Sequence, residues 1–221
     1  MIRKILVGAA LIAASATANA LPVLTEGFDD IGTLAASGWI QTNNSTPGGE
    51  TDWFQGNAGI FPALSGAEDS YIAANYLNAG FGGDVDNWLI TPEIGLIGTR
   101  TSVQFLTRTS GAVPGDTLSL YYNTTGSTNV ADFLLYGTIS SAVFPTDWTL
   151  ASTGDILGFA GLRVRFALRY TVSDTSLNGD YIGIDSFVVN SSVPEPGSLA
   201  LLAACLLVAP LAMRRRRNAE I

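Results

Sequence analysis

Residues 162–170 alternate between apolar and polar side chains over nine positions. The apolar residues occupy every second position: Leu162, Val164, Phe166, Leu168 and Tyr170. Three of the four positions between them are arginine. A period of two residues is typical of an antiparallel strand that buries one face and exposes the other. The sequence therefore predicts β-structure here.

The rest of residues 21–192 consists of short apolar runs separated by turn-forming residues, with no helical period over twelve residues. Strands are predicted at 24–28, 39–42, 52–55, 70–74, 88–91, 101–108, 117–122, 133–138, 148–152, 162–170 and 181–189. Turns are predicted at 47–49, 82–84, 84–86, 114–116 and 178–180. About ten short strands without a helical crossover indicate an all-β antiparallel sandwich or barrel.

The first twenty residues have the regions of a secretory signal peptide. Arg3 and Lys4 supply positive charge, and a ten-residue apolar stretch follows at 5–14. Ala18 and Ala20 fit the small-x-small pattern of a cleavage site. We therefore expect residues 1–20 to be removed after Ala20, which leaves a single domain at 21–192 that is long enough to bury a core.

The C-terminal end is a short apolar stretch between two prolines and an arginine cluster. Pro194 and Pro196 fix φ and lack an N–H, so an extended linker is expected. Residues 199–213 carry no charge, and as a helix they would cover roughly 22 Å, less than the ~30 Å hydrocarbon core. The cluster, which favours the cytoplasmic side, is Arg214, Arg215, Arg216 and Arg217. We expect a marginal membrane helix within an anchor segment at 193–217, followed by a tail at 218–221.

This segment resembles the PEP-CTERM sorting signal, in which a Pro-Glu-Pro triplet (Pro194, Glu195 and Pro196) precedes a hydrophobic stretch and a terminal arginine cluster. The resemblance implies processing by exosortase, a membrane protease-transpeptidase, in bacteria that make extracellular polysaccharide. The expected partners are therefore exosortase, the inner membrane in passing, and extracellular polysaccharide. A plain C-terminal membrane anchor is the alternative.

The composition of residues 21–192 excludes several chemistries. The chain has no histidine, and its one cysteine, Cys205, lies in the hydrophobic tail. Disulfides within the domain, Ser-His-Asp or Cys-His catalysis and the usual zinc sites are therefore excluded. The domain has five arginines, no lysine and seventeen Asp and Glu, a net charge of −12. Such a surface argues against nucleic acid as a partner and suits hard cations such as Ca²⁺.

Four blocks of the domain, in order along the chain, resemble the choice-of-anchor J domain, a relative of the cleaved-adhesin and MAM modules. They are 26–30 with 38–39, 69–76, 86–92 and 181–187. The resemblance implies a jelly-roll β-sandwich of two antiparallel sheets. MAM modules carry disulfides, which this domain cannot form, so their receptor-type adhesion roles are not carried over.

Candidate ligands of a structural Ca²⁺ are Glu26, Asp69 and Asp185. The first and last strands of a jelly roll commonly lie together, which would bring Glu26 towards Asp185. Ca²⁺ takes six to eight oxygen ligands, so Asp69, Asp29 or Asp30 and backbone carbonyls would have to complete the shell. In the alternatives, Glu26 or Asp185 pairs with an arginine, or both lie at a solvated rim.

Aromatic side chains are candidates for stacking on sugar rings if two or three are exposed together. They are Trp39, Trp53, Trp88 and Trp148, with Tyr121 and Tyr136. Trp88 and Trp148 adjoin apolar strand residues and are expected in the core. Trp53 lies in a polar region, so it is the residue that we expect to be exposed and able to bind a ligand.

Paired carboxylates could cleave glycans, but the spacing of the four glutamates in the domain favours no acid/base pair. We therefore expect no enzymatic activity. The sequence predicts an exported, exosortase-sorted protein of the cell surface or extracellular matrix, with an adhesive or structural role. The competing hypothesis is a secreted carbohydrate-binding module or, less well supported, a carbohydrate-cleaving one.

Overall fold

The structure is a computed structural model that describes residues 21–111 and 115–192. The predicted signal peptide, with Ala18 and Ala20, lies outside these residues, as does the predicted sorting segment from Pro194 to Arg217. Among the helices of the described residues, none has the length and apolar composition needed to cross a membrane.

The described chain is almost entirely β-structure. The strands are β1 (Leu21–Glu26), β2 (Ile40–Asn43), β3 (Thr46–Gly48), β4 (Phe54–Gln55), β5 (Ile72–Asn75), β6 (Ala79–Ile90), β7 (Ile94–Gly95), β8 (Arg100–Thr109), β9 (Thr117–Asn123), β10 (Leu134–Ile139), β11 (Thr149–Ser152), β12 (Ile156–Leu157), β13 (Arg163–Val172) and β14 (Tyr181–Ser192). The helices between them are 3₁₀ turns at Ile31–Thr33, Tyr76–Asn78, Val130–Asp132 and Ser141–Val143.

The strands form two seven-stranded antiparallel sheets. In sheet A the order is β11-β8-β14-β5-β4, with β1 paired to β14 and β12 paired to β8. In sheet B the order is β10-β9-β13-β6-β2, with β3 paired to β6 and β7 paired to β13. The prediction of an all-β antiparallel sandwich is confirmed, and each predicted strand overlaps an observed one.

The predicted turns at 82–84 and 84–86 are wrong, because these residues lie inside the twelve-residue strand β6. Gly83 serves close packing instead, whereas Gly82 has φ 72° and no atom within 4 Å of its Cβ position. A Cβ at Gly83 would lie 2.6 Å from the carbonyl oxygen of Thr46 in β3, so only glycine fits against the neighbouring backbone. Sequence reasoning also missed β3, β7 and β12, which have only two or three residues each.

The main core lies between the two sheets. In β13, the residues from Val164 to Tyr170 that were predicted to face inward are buried, whereas Leu162 lies before the strand and is exposed. At one end of the core, the Trp39 ring makes edge contacts with Phe28 and Phe187 at centroid distances of 5.6 and 5.5 Å. Aromatic pairs of this geometry stabilise a core beyond the area that they bury.

A bulge in β14 keeps both halves of this strand in the core. Ile182 and Ile184 are buried before it, and Phe187 and Val189 after it. The register against β8 shifts between Asp185 and Val188, and Ser186 in the bulge has φ 51°. One extra residue reverses which face the following side chains occupy, so the apolar alternation continues across the bulge.

The loop that precedes β5 covers part of sheet A. The Phe61 ring stacks on Tyr71 at 5.1 Å, and the Trp148 indole N–H donates to the carbonyl of Pro62 at 2.9 Å. The Tyr71 hydroxyl lies 3.0 Å from the Phe61 carbonyl oxygen, to which it donates. These rings lie over Gly183 of β14, where a Cβ would come within 2.9 Å of both Phe61 and Trp148. Glycine at this position therefore allows the loop to pack against the sheet.

We predict that Gly183→Ala lowers the free energy of unfolding by about 1–2 kcal/mol, because overpacking outweighs the loss of chain entropy in the unfolded state. Gly137→Ala is the matched control, since Gly137 also lies in a strand but has no atom within 4 Å of its Cβ position. Urea unfolding of the full-length chain measures both variants. Equal midpoints for the two variants would contradict the packing role of Gly183.

Candidate functional site

The first and last strands pair, as expected, but Glu26 and Asp185 have different surroundings. Glu26 of β1 lies opposite Phe187 of β14, and Glu26 Oε1 accepts the backbone N–H of Phe28 at 2.9 Å. Glu26 is half-buried at the start of the loop that follows β1. Its carboxylate therefore helps to fix that loop.

Asp69 and the loop after β1 are joined through Gln55. The Gln55 side-chain N–H groups donate to the carbonyl oxygens of Phe28 and Asp69, at 2.9 and 2.6 Å. Asp29 reaches the same region, because a Cβ on Gly66 would lie 3.0 Å from Asp29 Oδ1. The structure therefore brings the backbone of Asp69 and the side chain of Asp29 close to one loop, while the Asp69 side chain is exposed.

Asp185 lies in the bulge of β14 and is only 1% exposed. Burial raises the pKa of Asp185, and the hydrogen bond from Ser186 opposes the rise. Asp185 Oδ1 accepts the Ser186 hydroxyl at 3.0 Å, whereas Oδ2 has no hydrogen-bond partner within the described residues. A buried oxygen without a partner is the feature that a cation or a proton would satisfy.

Glu26, Asp69 and Asp185 are not assembled into one carboxylate cluster. Within 21–111 and 115–192, no three Asp, Glu, His or Cys side chains form a group that could hold a metal ion. Within the same ranges, the ion pairs that arginine side chains form involve Asp155, Glu93 and Asp86. The alternative in which Glu26 or Asp185 pairs with an arginine is therefore not found there. Calcium binding stays a prediction. Its site would have to consist of the Asp185 carboxylate together with backbone carbonyl oxygens.

The prediction that Trp53 is exposed is wrong. Trp53 is 3% exposed and packs in the main core, because the short strand β4 that follows it pairs with β5. Trp39 and Trp88 are buried as well, and Trp148 is half-buried against Phe61. Of the tyrosines named above, Tyr136 is exposed and Tyr121 is half-buried. The aromatic side chains proposed for sugar stacking therefore form no exposed tryptophan platform.

A different feature stands out on the outer face of sheet B, where three central strands align rows of cross-strand neighbours. Residues directly opposite each other in paired strands share a face. The first row is Thr117, Thr171 and Asp86; the second is Ser119, Arg169 and Trp88; the third is Tyr121, Ala167 and Ile90. The rows change from polar to apolar along the strands.

The segment around Val130–Asp132 covers the apolar end of this face, where Phe133 packs with Trp88, Ile90 and Ala167. The polar end is open and forms a groove of about 460 Å³. The residues that line it are Asn44, Thr46, Asp84, Val85, Asp86, Gly115, Thr117, Arg169, Thr171, Val172 and Ser173. We call this feature the sheet B groove.

The Arg169–Asp86 ion pair forms one end of the groove floor. Arg169 Nε donates to Asp86 Oδ1 at 2.7 Å, and an Arg169 terminal N–H donates to the Tyr121 hydroxyl at 3.3 Å. The Trp88 indole N–H donates to the same Asp86 oxygen at 2.6 Å, and the guanidinium carbon lies 5.0 Å from the Trp88 ring centroid. The hydrogen bond to Asp86 raises the pKa of Arg169. These contacts hold both charged side chains in one arrangement.

Sequence reasoning missed the sheet B groove because it treated the polar faces of the strands as solvent-exposed. Asp84 and Asp86 were assigned to a turn, and the arginines of β13 to an outer face. The alternating polar residues in β6, β9 and β13 were the available signal. Only the pairing of these three strands brings Thr117, Thr171 and Asp86 together.

Asp116 is a second buried carboxylate that sequence reasoning did not single out. It is 1% exposed, and its Oδ1 accepts the Tyr170 hydroxyl at 2.6 Å and the backbone N–H of Asp180 at 3.2 Å. Burial raises the pKa of Asp116, the two hydrogen bonds oppose this rise, and the nearby charge of Asp180 adds to it. Asp116 Oδ2 has no partner among the described residues.

Comparison with known proteins identifies one sequence motif. The model of the PEP-CTERM protein-sorting motif matches residues 192–217. The chain therefore carries this sorting motif, which implies an extracellular protein sorted by exosortase. No curated protein sequence is significantly similar to the chain.

Solved structures share the fold of the domain. The K1 cleaved adhesin domain of Lys-gingipain from Porphyromonas gingivalis W83 aligns with a TM-score of 0.52 and 20% identity, over 76% of this chain and 97% of that one. The K3 domain of the same protein aligns with a TM-score of 0.51 and 18% identity, over 78% of this chain and 99% of that one. The sandwich is therefore similar in fold to cleaved adhesin domains, as the sequence resemblance predicted.

The calcium hypothesis predicts that EDTA lowers the unfolding temperature of the full-length chain by about 5–10 °C, if Ca²⁺ is bound at about a hundred times its Kd. Asp185→Asn should remove the sensitivity to EDTA, and Asp147→Asn, a change at an exposed carboxylate, should leave it intact. Differential scanning calorimetry measures all three proteins. An unchanged melting temperature in EDTA for the unaltered chain removes the hypothesis.

The raised pKa of Asp116 predicts a pH-dependent effect of Asp116→Asn. Because the folded state holds the proton more tightly than the unfolded chain, ionisation of Asp116 destabilises the fold as the pH rises above the ordinary value of 3.8. Asparagine keeps an oxygen acceptor for the Tyr170 hydroxyl and removes the charge. We expect Asp116→Asn to unfold at a higher temperature than the unaltered chain at pH 7, with little difference at pH 4.

Asp147→Asn is again the control, and it should show no such pH dependence. A lower unfolding temperature for Asp116→Asn at pH 7 would mean that the charge of Asp116 stabilises the fold, which is the opposite of the effect expected from burial.

Proposed function

We propose that this chain is exported, that an exosortase-type sorting protease processes it at the Pro194–Pro196 triplet, and that its sandwich then acts outside the cell as a non-enzymatic adhesive or structural module. The observation that carries this proposal is the junction at Ser192. The sorting motif begins at the residue where the last strand of the sandwich ends.

The pairing of β14 supports this division of the chain. β14 is hydrogen-bonded to β8 on one side, and to β5 and β1 on the other. The pairing with β8 continues to the end of the strand, where Ser192 lies opposite Arg100, and Ser192 is buried. Cleavage beyond Ser192 would therefore remove no strand from either sheet, and the sandwich would remain intact.

The two ends of the domain lie together, which suits a protein processed at both. Leu21, the residue after the predicted signal-peptide cleavage site, lies opposite Ser191 in the antiparallel pair of β1 and β14. The twelve residues of β14 extend roughly 40 Å from that end. A chain attached through its C-terminal segment would hold the opposite end of the sandwich away from the attachment point.

The chemistry of the groove supports a binding role more than a catalytic one. Asp86 is held in an ion pair with Arg169 and also accepts the indole N–H of Trp88, so it is not a free base. Asp84 Oδ1 accepts the backbone N–H of Asp174 at 3.0 Å, so this carboxylate is also engaged within the protein. Cleavage of a glycan by paired carboxyl groups requires an acid and a base that are free to exchange protons, whereas both carboxylates of the groove already accept hydrogen bonds from the protein.

The sorting proposal predicts that deletion of Pro194–Pro196 abolishes processing, because the protease would lose its recognition triplet. The measurement is fractionation of producing cells, with mass spectrometry of the mature C-terminus. Deletion of residues 218–220 is the matched control: it also removes three residues, but these lie beyond the matched motif. We expect the control to be processed like the unaltered protein. An unchanged mature C-terminus in the triplet deletion would refute the proposal.

A further inference from the structure

We infer that the sheet B groove binds a neutral polysaccharide, with Thr117, Thr171 and Asn44 as its hydrogen-bonding residues. The inference deepens the proposed function, and it rests on that function only for the exposure of the groove outside the cell.

The shape of the groove suits an extended ligand. Its volume of about 460 Å³ lies within the roughly 300–1,000 Å³ that is typical of ligand sites. The floor consists of neighbouring strands, with Asp84 and Asp86 from β6 and Thr171 from β13. Asn44 lies on one side and Thr117 on the other. The groove therefore spans three neighbouring strands of one sheet, over which several sugar units could lie.

The free polar groups of the groove match sugar hydroxyls. The side chains of Thr117, Thr171 and Asn44 take no hydrogen-bond partner from within the described residues. A threonine hydroxyl can donate and accept, and an asparagine amide offers both functions on one group. Sugar hydroxyls also both donate and accept, so these three side chains can pair with a polyhydroxylated ligand. A purely apolar ligand would leave them unpaired, which is unfavourable.

The charge of the groove favours a neutral ligand over an anionic one. Among the described residues that line it, the one cation is Arg169, which is already paired with Asp86, and Asp84 adds a further negative charge. The domain as a whole carries a net charge of −12. A phosphorylated or uronate-containing polymer would meet repulsion from both the groove and the surrounding surface. Neutral sugars would not.

The floor of the groove is fixed before a ligand arrives. Arg169 is held by Asp86, by Tyr121 and by the face of Trp88. The two threonines lie in paired strands at the centre of sheet B. Because these side chains are already ordered, binding loses less conformational entropy than it would on a loop. The groove is therefore preorganised.

Affinity electrophoresis tests the inference directly. The full-length chain in a non-ionic detergent migrates through native gels that contain dextran, mannan or a β-glucan, and through gels that contain alginate. We expect retardation in at least one neutral polymer and none in alginate. A shift in alginate alone, or in none of the four gels, overturns the inference.

A matched pair of variants then assigns the binding to the groove. Thr117→Val with Thr171→Val removes both hydroxyls while retaining side-chain shape and β-branching, and we expect about tenfold weaker binding from the loss of two hydrogen bonds. Thr25→Val is the control, because Thr25 is an exposed strand residue of sheet A. Equal retardation of the double variant and the control overturns the assignment.

The result of the gel-retardation test does not depend on whether the chain is sorted by the protease. A chain whose triplet is processed normally but which is not retarded by a neutral polymer refutes the groove and leaves the sorting proposal intact. A chain that is retarded by a neutral polymer, but whose processing persists after deletion of Pro194–Pro196, refutes the sorting proposal and leaves the groove intact.

Discussion

The double-sided pairing of β14 is the constraint on which the rest of the domain depends. This strand lies at the centre of sheet A, with β8 on one side and with β1 and β5 on the other. Its bulge at Asp185–Ser186 keeps Ile184 and Phe187 in the same core despite the change of register. An unbulged strand would direct one half of its apolar residues to the wrong face. The strand also ends where the sorting motif begins, so the same element closes the fold and connects it to its tail.

The outer faces of both sheets carry their own apolar clusters, and this arrangement determines where a ligand could bind. On sheet A, Phe61, Tyr71 and Tyr181 form a buried cluster with the preceding loop, which Gly183 allows to pack closely. On sheet B, Phe133 covers only the apolar end around Trp88. The remaining polar face is the open groove. The sheet B groove is therefore one part of the described surface that the loops leave uncovered.

The sequence predicted the fold well because alternation is a local signal. The nine-residue pattern at 162–170 corresponds to β13, and the strands of more than three residues were all found. The glycines at 82–83 suggested a turn, but Gly83 instead packs against the backbone of β3, and Gly82 adopts a positive φ inside β6. Trp53 was expected at the surface because its neighbours in sequence are polar, yet β4 and the core bury it. Burial of a single side chain depends on contacts between distant segments, which local composition does not record.

The same limit explains why the groove could not be found from the sequence. An outward-facing polar residue in a strand has the same pattern whether it faces water or a ligand. Thr117, Thr171 and Asp86 are separated by many residues, and each alone suggests a solvated position. Their alignment across three strands follows only from the register. Such shared faces bring hydroxyl, amide and carboxylate groups together without histidine or cysteine, and the register of the strands, not the spacing along the chain, decides which of these groups meet.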